Sequence, residues 1–140
     1  MGSNFIRIIL TPILPLSIAA PASAEWPAAV ERRLTRSYTH CMANGAAGRG
    51  QTLAMNNCTS AEIARQDARL NQVYKAVMKR LGPKRKAALR TSERQWVARR
   101  DRTCRTAAEA FGDGSGAGLE HGQCILRETI ARTIWLENHR

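Results

Sequence analysis

The sequence predicts an all-α fold, a small disulfide-stapled helical bundle built on two long antiparallel helices flanked by two shorter ones. Apolar residues recur at three- and four-residue steps over long stretches, and no stretch alternates as a strand would. This helical pattern is interrupted at sites that contain glycine or proline. With 140 residues, 44% of them hydrophobic, the chain has the length and composition of one small globular domain.

Residues 1–24 have the pattern of a secretory signal peptide. Arg7 precedes a short apolar stretch with two internal prolines, and an A-x-A sequence ends at Ala24. A membrane-spanning helix needs about 20 apolar residues, so this stretch is too short and too interrupted to be one. We therefore expect cleavage near Ala24, a periplasmic or secreted location, and a single domain over residues 25–140 that does not span a membrane.

The first predicted helix starts at Pro27, where a first turn tolerates proline, and ends at Asn44-Gly45. Its inward positions follow at nearly regular four-residue steps: Val30, Leu34, Tyr38 and Cys41. Gly45 to Gln51 is expected to be a loop.

The second helix is predicted from Thr59, which with Glu62 has capping-box spacing, to Gly82-Pro83. Its apolar face comprises Ile63, Leu70, Val73, Tyr74, Val77, Met78 and Leu81.

The third helix is predicted from Lys84 to the glycine-rich segment 112–118, and the fourth begins at about Gln123. The third is expected to turn inward Leu89, Trp96, Val97, Cys104, Ala107 and Phe111. The inward positions of the fourth are Ile125, Leu126, Ile130, Ile134 and Leu136.

Four cysteines in an exported chain predict two disulfides, because the compartment oxidises and a small domain gains from cross-links. Zinc is the alternative, but the C-x₂₋₄-C spacing of structural zinc sites is absent. Three pairings are possible. We prefer Cys41 with Cys58 and Cys104 with Cys124, since each pair brackets one glycine-rich connection.

Three polar residues project onto the apolar faces of the two long helices. Asp67 falls near the centre of the second helix's stripe with Asn71 at its edge, and Arg100 falls near the centre of the third helix's stripe. Because a buried unpaired charge is costly, we expect Asp67 and Arg100 to form a buried ion pair across the helices. Glu93 is a rival partner for Arg100.

Asp67, Asn71 and Arg100 are part of a wider sequence pattern. It comprises Met55-Asn56-Asn57-Cys58, Glu62, Asp67-x-x-Leu70-Asn71-x-x-Tyr74, Trp96-x-x-x-Arg100-Asp101-x-x-Cys104, a glycine-rich loop, Cys124, Thr129, Arg132 and Leu136. This pattern resembles the LprI-like lysozyme-inhibitor family of exported bacterial proteins. The resemblance implies a small helical, disulfide-bonded fold, with the cysteines and internal polar residues as scaffold.

The resemblance implies a lysozyme or a related cell-wall hydrolase as the partner. An inhibitor that plugs an enzyme cleft uses a protruding loop, and the longest candidate is Gly112 to Gly122, with Asp113, Ser115 and Glu120. The chain departs from the family's lipoprotein member in having no lipid-attachment cysteine, and its net charge is +11. Since animal-type lysozymes are commonly basic too, repulsion between two cations would slow their association.

The basic charge supports a second hypothesis, binding to anionic envelope polymers or lipids. Arginine supplies 18 of the 22 cationic side chains, and the third helix carries many of them. The candidate anion-binding face consists of Arg90, Arg94, Arg102 and Arg105.

Other function classes find little support in the sequence. The chain contains no H-E-x-x-H sequence, no glycine-rich phosphate loop and no Ser-His-Asp arrangement, so we predict a non-enzymatic protein that needs no cofactor or metal. Nucleic acid is disfavoured as a partner, because the signal exports the chain and no recognised base-reading motif appears.

Overall fold

The computed structural model describes residues 26–139, so the expected signal peptide and its cleavage site lie outside the described residues. Within residues 26–139 the chain forms helices and no strand, which confirms the all-α class. The helices are α1 (Ala28–Glu31), α2 (Arg36–Ala43), α3 (Gly45–Gly48), α4 (Thr52–Arg80), α5 (Pro83–Glu109) and α6 (Ser115–Glu137).

The predicted first helix is divided into α1 and α2 because Thr35 bonds elsewhere. Thr35 has extended backbone angles, and its hydroxyl oxygen caps α2 by accepting a hydrogen bond from the Tyr38 amide. Its own amide and hydroxyl donate to the carboxylate of Glu62 on α4, at 2.9 and 2.6 Å. In a continuous helix the Thr35 amide would donate to the carbonyl four residues earlier and not to Glu62. The contact with α4 therefore determines where the helix is interrupted.

The N-terminus of α4 lies at Thr52, about two turns before the predicted start at Thr59. Thr59 is therefore inside the helix, where its hydroxyl donates to the Met55 carbonyl instead of forming a capping box. The predicted C-terminal boundary is confirmed, since α4 stops at Arg80 and Pro83 occupies the first turn of α5.

The glycine-rich segment is mostly helix rather than loop. Gly112, with φ of +69°, follows the end of α5, but α6 begins at Ser115. The later glycines face α4 closely: a Cβ on Gly122 would lie 3.2 Å from the Thr59 methyl carbon, and one on Gly118 would lie 3.7 Å from Asn56. These glycines permit close helix packing, so their abundance does not mark a long loop.

Helix α6 is a third long helix and lies between the other two. It runs parallel to α4, with Gly118 near Asn56 and Glu137 bonded to Arg69. It runs antiparallel to α5. Both α4 and α5 pack mainly against α6 rather than against each other, and this leaves a groove between them. The prediction of two long antiparallel helices with two shorter flanking ones therefore missed α6 as the central long helix.

Two hydrophobic clusters stabilise this arrangement. The first joins α1, α2, α3, α4 and α6 through Val30, Tyr38, Ala47, Cys58, Leu126 and Ile130. The second joins the other end of α4 to α5 and α6 through Leu70, Val77, Leu81, Leu89, Trp96 and Leu136. Two residues expected in the core, Val97 of α5 and Phe111, are exposed. Phe111 lies beyond the end of the helix, so helical projection does not apply to it.

Both preferred disulfides are formed. Cys41 joins Cys58 and Cys104 joins Cys124, with Cα atoms 5.8 and 5.4 Å apart. The first connects α2 to α4 and the second connects α5 to α6, so each clips a helix to its neighbour. None of the helices described between residues 26 and 139 is long and apolar enough to cross a membrane.

Candidate functional site

The expected buried ion pair between Asp67 and Arg100 does not form. Asp67 and Asn71 are exposed, and Arg100 bonds the neighbouring Asp101 through its Nε and Nη2 at 3.0 and 2.9 Å. The error comes from taking only apolar residues to define the inward face of α4. Gln66 and Leu70 are buried, and Asp67 and Asn71 each follow one of them in the sequence. One residue along a helix turns a side chain by about 100°, and this places Asp67 and Asn71 outside.

The buried polar group of α4 is Glu62, with 0% of its surface exposed. Its carboxylate accepts hydrogen bonds from the amide and hydroxyl of Thr35, from Arg65 at 3.0 Å and from Gln66 at 2.8 Å. Burial alone would raise the pKa of Glu62, but the hydrogen bonds from Thr35, Gln66 and Arg65 outweigh it and lower the pKa below the usual 4.5. Glu62 therefore stays ionised while it fixes the α1–α2 junction to α4.

The buried cation is Arg132 of α6, which is 7% exposed. It donates from Nε and Nη2 to Glu93 at 2.9 and 2.7 Å, and from Nη2 to the Ser92 hydroxyl at 2.7 Å. Its guanidinium carbon lies 3.8 Å from the ring centroid of Trp135. Glu93 is thus the partner of Arg132 rather than of Arg100, and this pair joins α5 to α6.

The sequence reasoning missed Glu62 and Arg132 as interior groups although a signal was present. Glu62 lies four residues after Cys58, and Gln66 and Leu70 continue the same four-residue series. Cys58 forms a disulfide and is buried, so Glu62 and Gln66, which lie on the same face of the helix, are buried too. Arg132 is four residues before the buried Leu136.

The groove between α4 and α5 has a cavity volume of about 390 Å³. Its α4 wall presents Asp67, Leu70, Asn71 and Tyr74, and its α5 wall presents Arg90, Glu93, Arg94, Trp96, Val97 and Arg100. Leu70 and Trp96 are nearly buried and form an apolar floor. Asp67, Asn71 and Arg100 therefore converge on an open groove instead of forming a buried contact.

The groove's charges are unevenly satisfied. Arg100 is held by Asp101 and lies over the Trp96 ring, 5.0 Å from its centroid, while Glu93 is held by Arg132. Arg90 and the Asp67 carboxylate form no hydrogen bond or ion pair with any part of residues 26–139. Opposite charges thus lie on the two walls of one groove without bridging it.

The expected partner-binding loop is reduced to a short connection. Residues 110–114 join α5 to α6, so Asp113 lies in the connection, Ser115 begins α6 and Glu120 lies within it. Phe111 is 60% exposed here, and the Cys104–Cys124 disulfide clips the two helices below it. Residues 106–126 contain no lysine or arginine and three acidic residues, Glu109, Asp113 and Glu120. We call residues 106–122 the acidic tip.

The four arginines of the expected anion-binding face are all exposed, but the structure distributes them among different surroundings. Arg90 and Arg94 line the groove, whereas Arg105 borders a shallow cavity with Glu109 and Asp113 of the acidic tip. Arg102 lines neither cavity.

The chain is similar to a known protein family. The model of the family described as lysozyme inhibitor LprI matches residues 41–136, which is more than half of the chain and includes both disulfides, the groove and the acidic tip. No curated protein and no solved structure matches the chain.

Proposed function

The chain belongs to the LprI lysozyme-inhibitor family, and from this we propose that it is an exported, non-enzymatic protein that binds and inhibits a lysozyme or related cell-wall hydrolase. Two disulfides fit an oxidising compartment such as the periplasm or the outside of the cell. The signal-peptide pattern of residues 1–24 supports the same location.

The observation that supports this proposal is the separation of charge along the chain. A net charge of +11 disfavours approach to a basic enzyme, but the acidic tip carries three carboxylates and no lysine or arginine. Association is steered by the local potential of the surfaces that meet, so a basic lysozyme approaches the acidic tip more readily than the arginine-rich part of α5.

The acidic tip is also held in place by a cross-link. Residues 110–114 connect two helices that the Cys104–Cys124 disulfide joins, so little conformational entropy is lost when the tip binds. Phe111 supplies an exposed aromatic side chain, the type of residue that anchors interfaces. The first turns of α4 lie beside α6 and contribute Leu53, which is 75% exposed.

The experiment measures cell-wall lysis by several classes of lysozyme with and without the purified mature protein. We expect inhibition at micromolar concentrations, weakened by Phe111→Ser and by the charge reversal Asp113→Lys. Glu31→Lys is the matched control, because it makes the same change of net charge on α1, which packs beside α6 away from its first turn. Absence of inhibition for every class contradicts the function, and equal loss in Asp113→Lys and Glu31→Lys contradicts the role of the acidic tip.

A second candidate function is binding to an anionic envelope polymer or lipid surface. The exposed arginines of α5 support it, since Arg102 and Arg105 make no ion pair within residues 26–139. Guanidinium groups bind phosphate and carboxylate groups of such surfaces. The double variant Arg102→Ala/Arg105→Ala should bind anionic vesicles more weakly, and binding to neutral vesicles at the same strength contradicts this candidate.

A further inference from the structure

We propose that the groove between α4 and α5 binds a carboxylate-bearing sugar. This inference concerns a different surface from the acidic tip and does not depend on lysozyme inhibition. The groove's volume of about 390 Å³ lies in the range of small-molecule sites, which are largely apolar with a few placed polar groups.

The α5 wall supplies the groups that would bind the carboxylate. Arg100 is oriented before any ligand arrives, because Asp101 bonds its guanidinium group and the Trp96 ring lies beneath it. Arg94 makes one hydrogen bond, to the Thr91 hydroxyl, and Arg90 makes no contact of this kind with the described part of the chain. Arginine pairs with carboxylates through two parallel hydrogen bonds, so these side chains suit an organic acid.

Arg90 and Arg94 carry the unpaired positive charge of this wall, because Arg100 is paired with Asp101 and Glu93 is paired with Arg132. The carboxylate of Glu93 accepts two hydrogen bonds from Arg132, which is buried in α6. The negative charge of Glu93 is therefore matched by a cation outside the groove.

The α4 wall supplies groups for the hydroxyls of a sugar. The Asp67 carboxylate is an acceptor without a partner among residues 26–139, and Tyr74 has a hydroxyl that can donate and accept. Asn71 donates to the Asp67 carbonyl through its Nδ2, and its amide oxygen accepts no hydrogen bond from the described residues. A simple inorganic anion has no hydroxyl groups to donate to these acceptors, and the Asp67 carboxylate would repel such an anion.

The floor completes the match with a sugar ring. Leu70 and Trp96 lie at the base of the groove, and Val97 lies beside them on α5. A pyranose presents C–H groups on its faces and hydroxyls around its edge, so an apolar floor between polar walls fits its surface. A carboxylate on one edge would then meet the arginines.

The experiment titrates the mature protein with three probes by calorimetry or NMR: N-acetylmuramic acid, N-acetylglucosamine and inorganic phosphate. The two sugars share a ring, and only the first carries a carboxylate. We expect N-acetylmuramic acid to bind most tightly, and Arg94→Ala to weaken it about ten-fold, the effect of losing one hydrogen bond to a charged group. Asp67→Ala should also weaken it.

Arg99→Ala is the matched control, because Arg99 is an exposed arginine on the side of α5 turned away from the groove. It should bind N-acetylmuramic acid as the unchanged protein does, and all variants should keep their melting temperature. Equal weakening by Arg94→Ala and Arg99→Ala would overturn the proposal, since it would indicate general attraction to positive charge. Equal binding of the two sugars, tighter binding of phosphate, or no binding at millimolar concentrations would also overturn it.

Discussion

Helix α4 carries two stripes of polar side chains that lie next to each other in sequence and differ in almost every physical respect. The interior stripe, Thr59, Glu62 and Gln66, is buried, and nearly all of its polar atoms are hydrogen-bonded, Gln66 Oε1 being an exception. The groove stripe, Asp67, Asn71 and Tyr74, faces the open groove. A polar group satisfied inside the protein supports the fold, whereas one left open to solvent is available to a ligand.

The largest expected effect is on the interior stripe. Glu62→Ala leaves the Thr35 amide without its acceptor and removes one of the two acceptors of Gln66 Nε2, and it creates a cavity where the carboxylate was. We expect the free energy of unfolding to fall by about 4 kcal/mol. Urea denaturation measures this. A fall below about 1 kcal/mol would show that α4 does not depend on this carboxylate.

This contrast explains how much of the fold could be predicted from the sequence. Cysteine spacing, the Gly82-Pro83 boundary and helical periodicity depend on local chemistry, and they led to the all-α class and the disulfide pairing. The sequence does not locate the start of α6, because its glycines pack against α4, which is a tertiary contact. Nor does it predict the exposure of Asp67, because an apolar stripe does not reveal which polar residues share its face.

The next largest effect is expected at Glu93. It tests whether the role of a residue depends on its place in the groove or on its hydrogen bonds. Glu93 lines the groove but is bonded to the buried Arg132, so it should behave like an interior group. Arg132→Met strands Glu93 and removes the cation over Trp135, and we expect a loss of about 3 kcal/mol in the free energy of unfolding.

A double-mutant cycle with Glu93→Gln isolates the interaction of this pair. The coupling energy should be favourable, and the double variant should lose less than the sum of the two single variants. If the losses of the two single variants simply add, Glu93 and Arg132 do not stabilise each other. Glu93 would then resemble the groove residues that form no hydrogen bond within the protein.

Acid should reduce the stability that the interior stripe contributes. The folded pKa of Glu62 is lowered, so its contribution to stability is present above the ordinary glutamate pKa of 4.5 and is lost as the pH falls through the lower folded value. Hydrogen bonds from Arg33 and Arg69 also lower the pKa of Glu137, which adds to the same acid dependence. We therefore expect stability to decline below about pH 4.5.

Melting temperatures measured between neutral and acid pH test this expectation. Glu62→Gln should have a shallower acid decline than the unchanged protein, with the remaining decline due in part to Glu137. The decline is smaller than the loss in Glu62→Ala, because protonation keeps the side chain in place and removes no volume. An identical acid dependence in both proteins would assign the whole effect to other carboxylates.

The smallest effect on stability is expected in the groove stripe. Asp67→Ala removes a carboxylate that follows Gln66 by one residue but makes no hydrogen bond or ion pair with the described residues. The free energy of unfolding should change by no more than about 0.5 kcal/mol, as for surface substitutions in general. If it fell as far as in Glu62→Ala, the two stripes would not differ, and Asp67 would be part of the scaffold after all. A negligible change combined with weaker binding of N-acetylmuramic acid would separate the two roles within one turn of one helix.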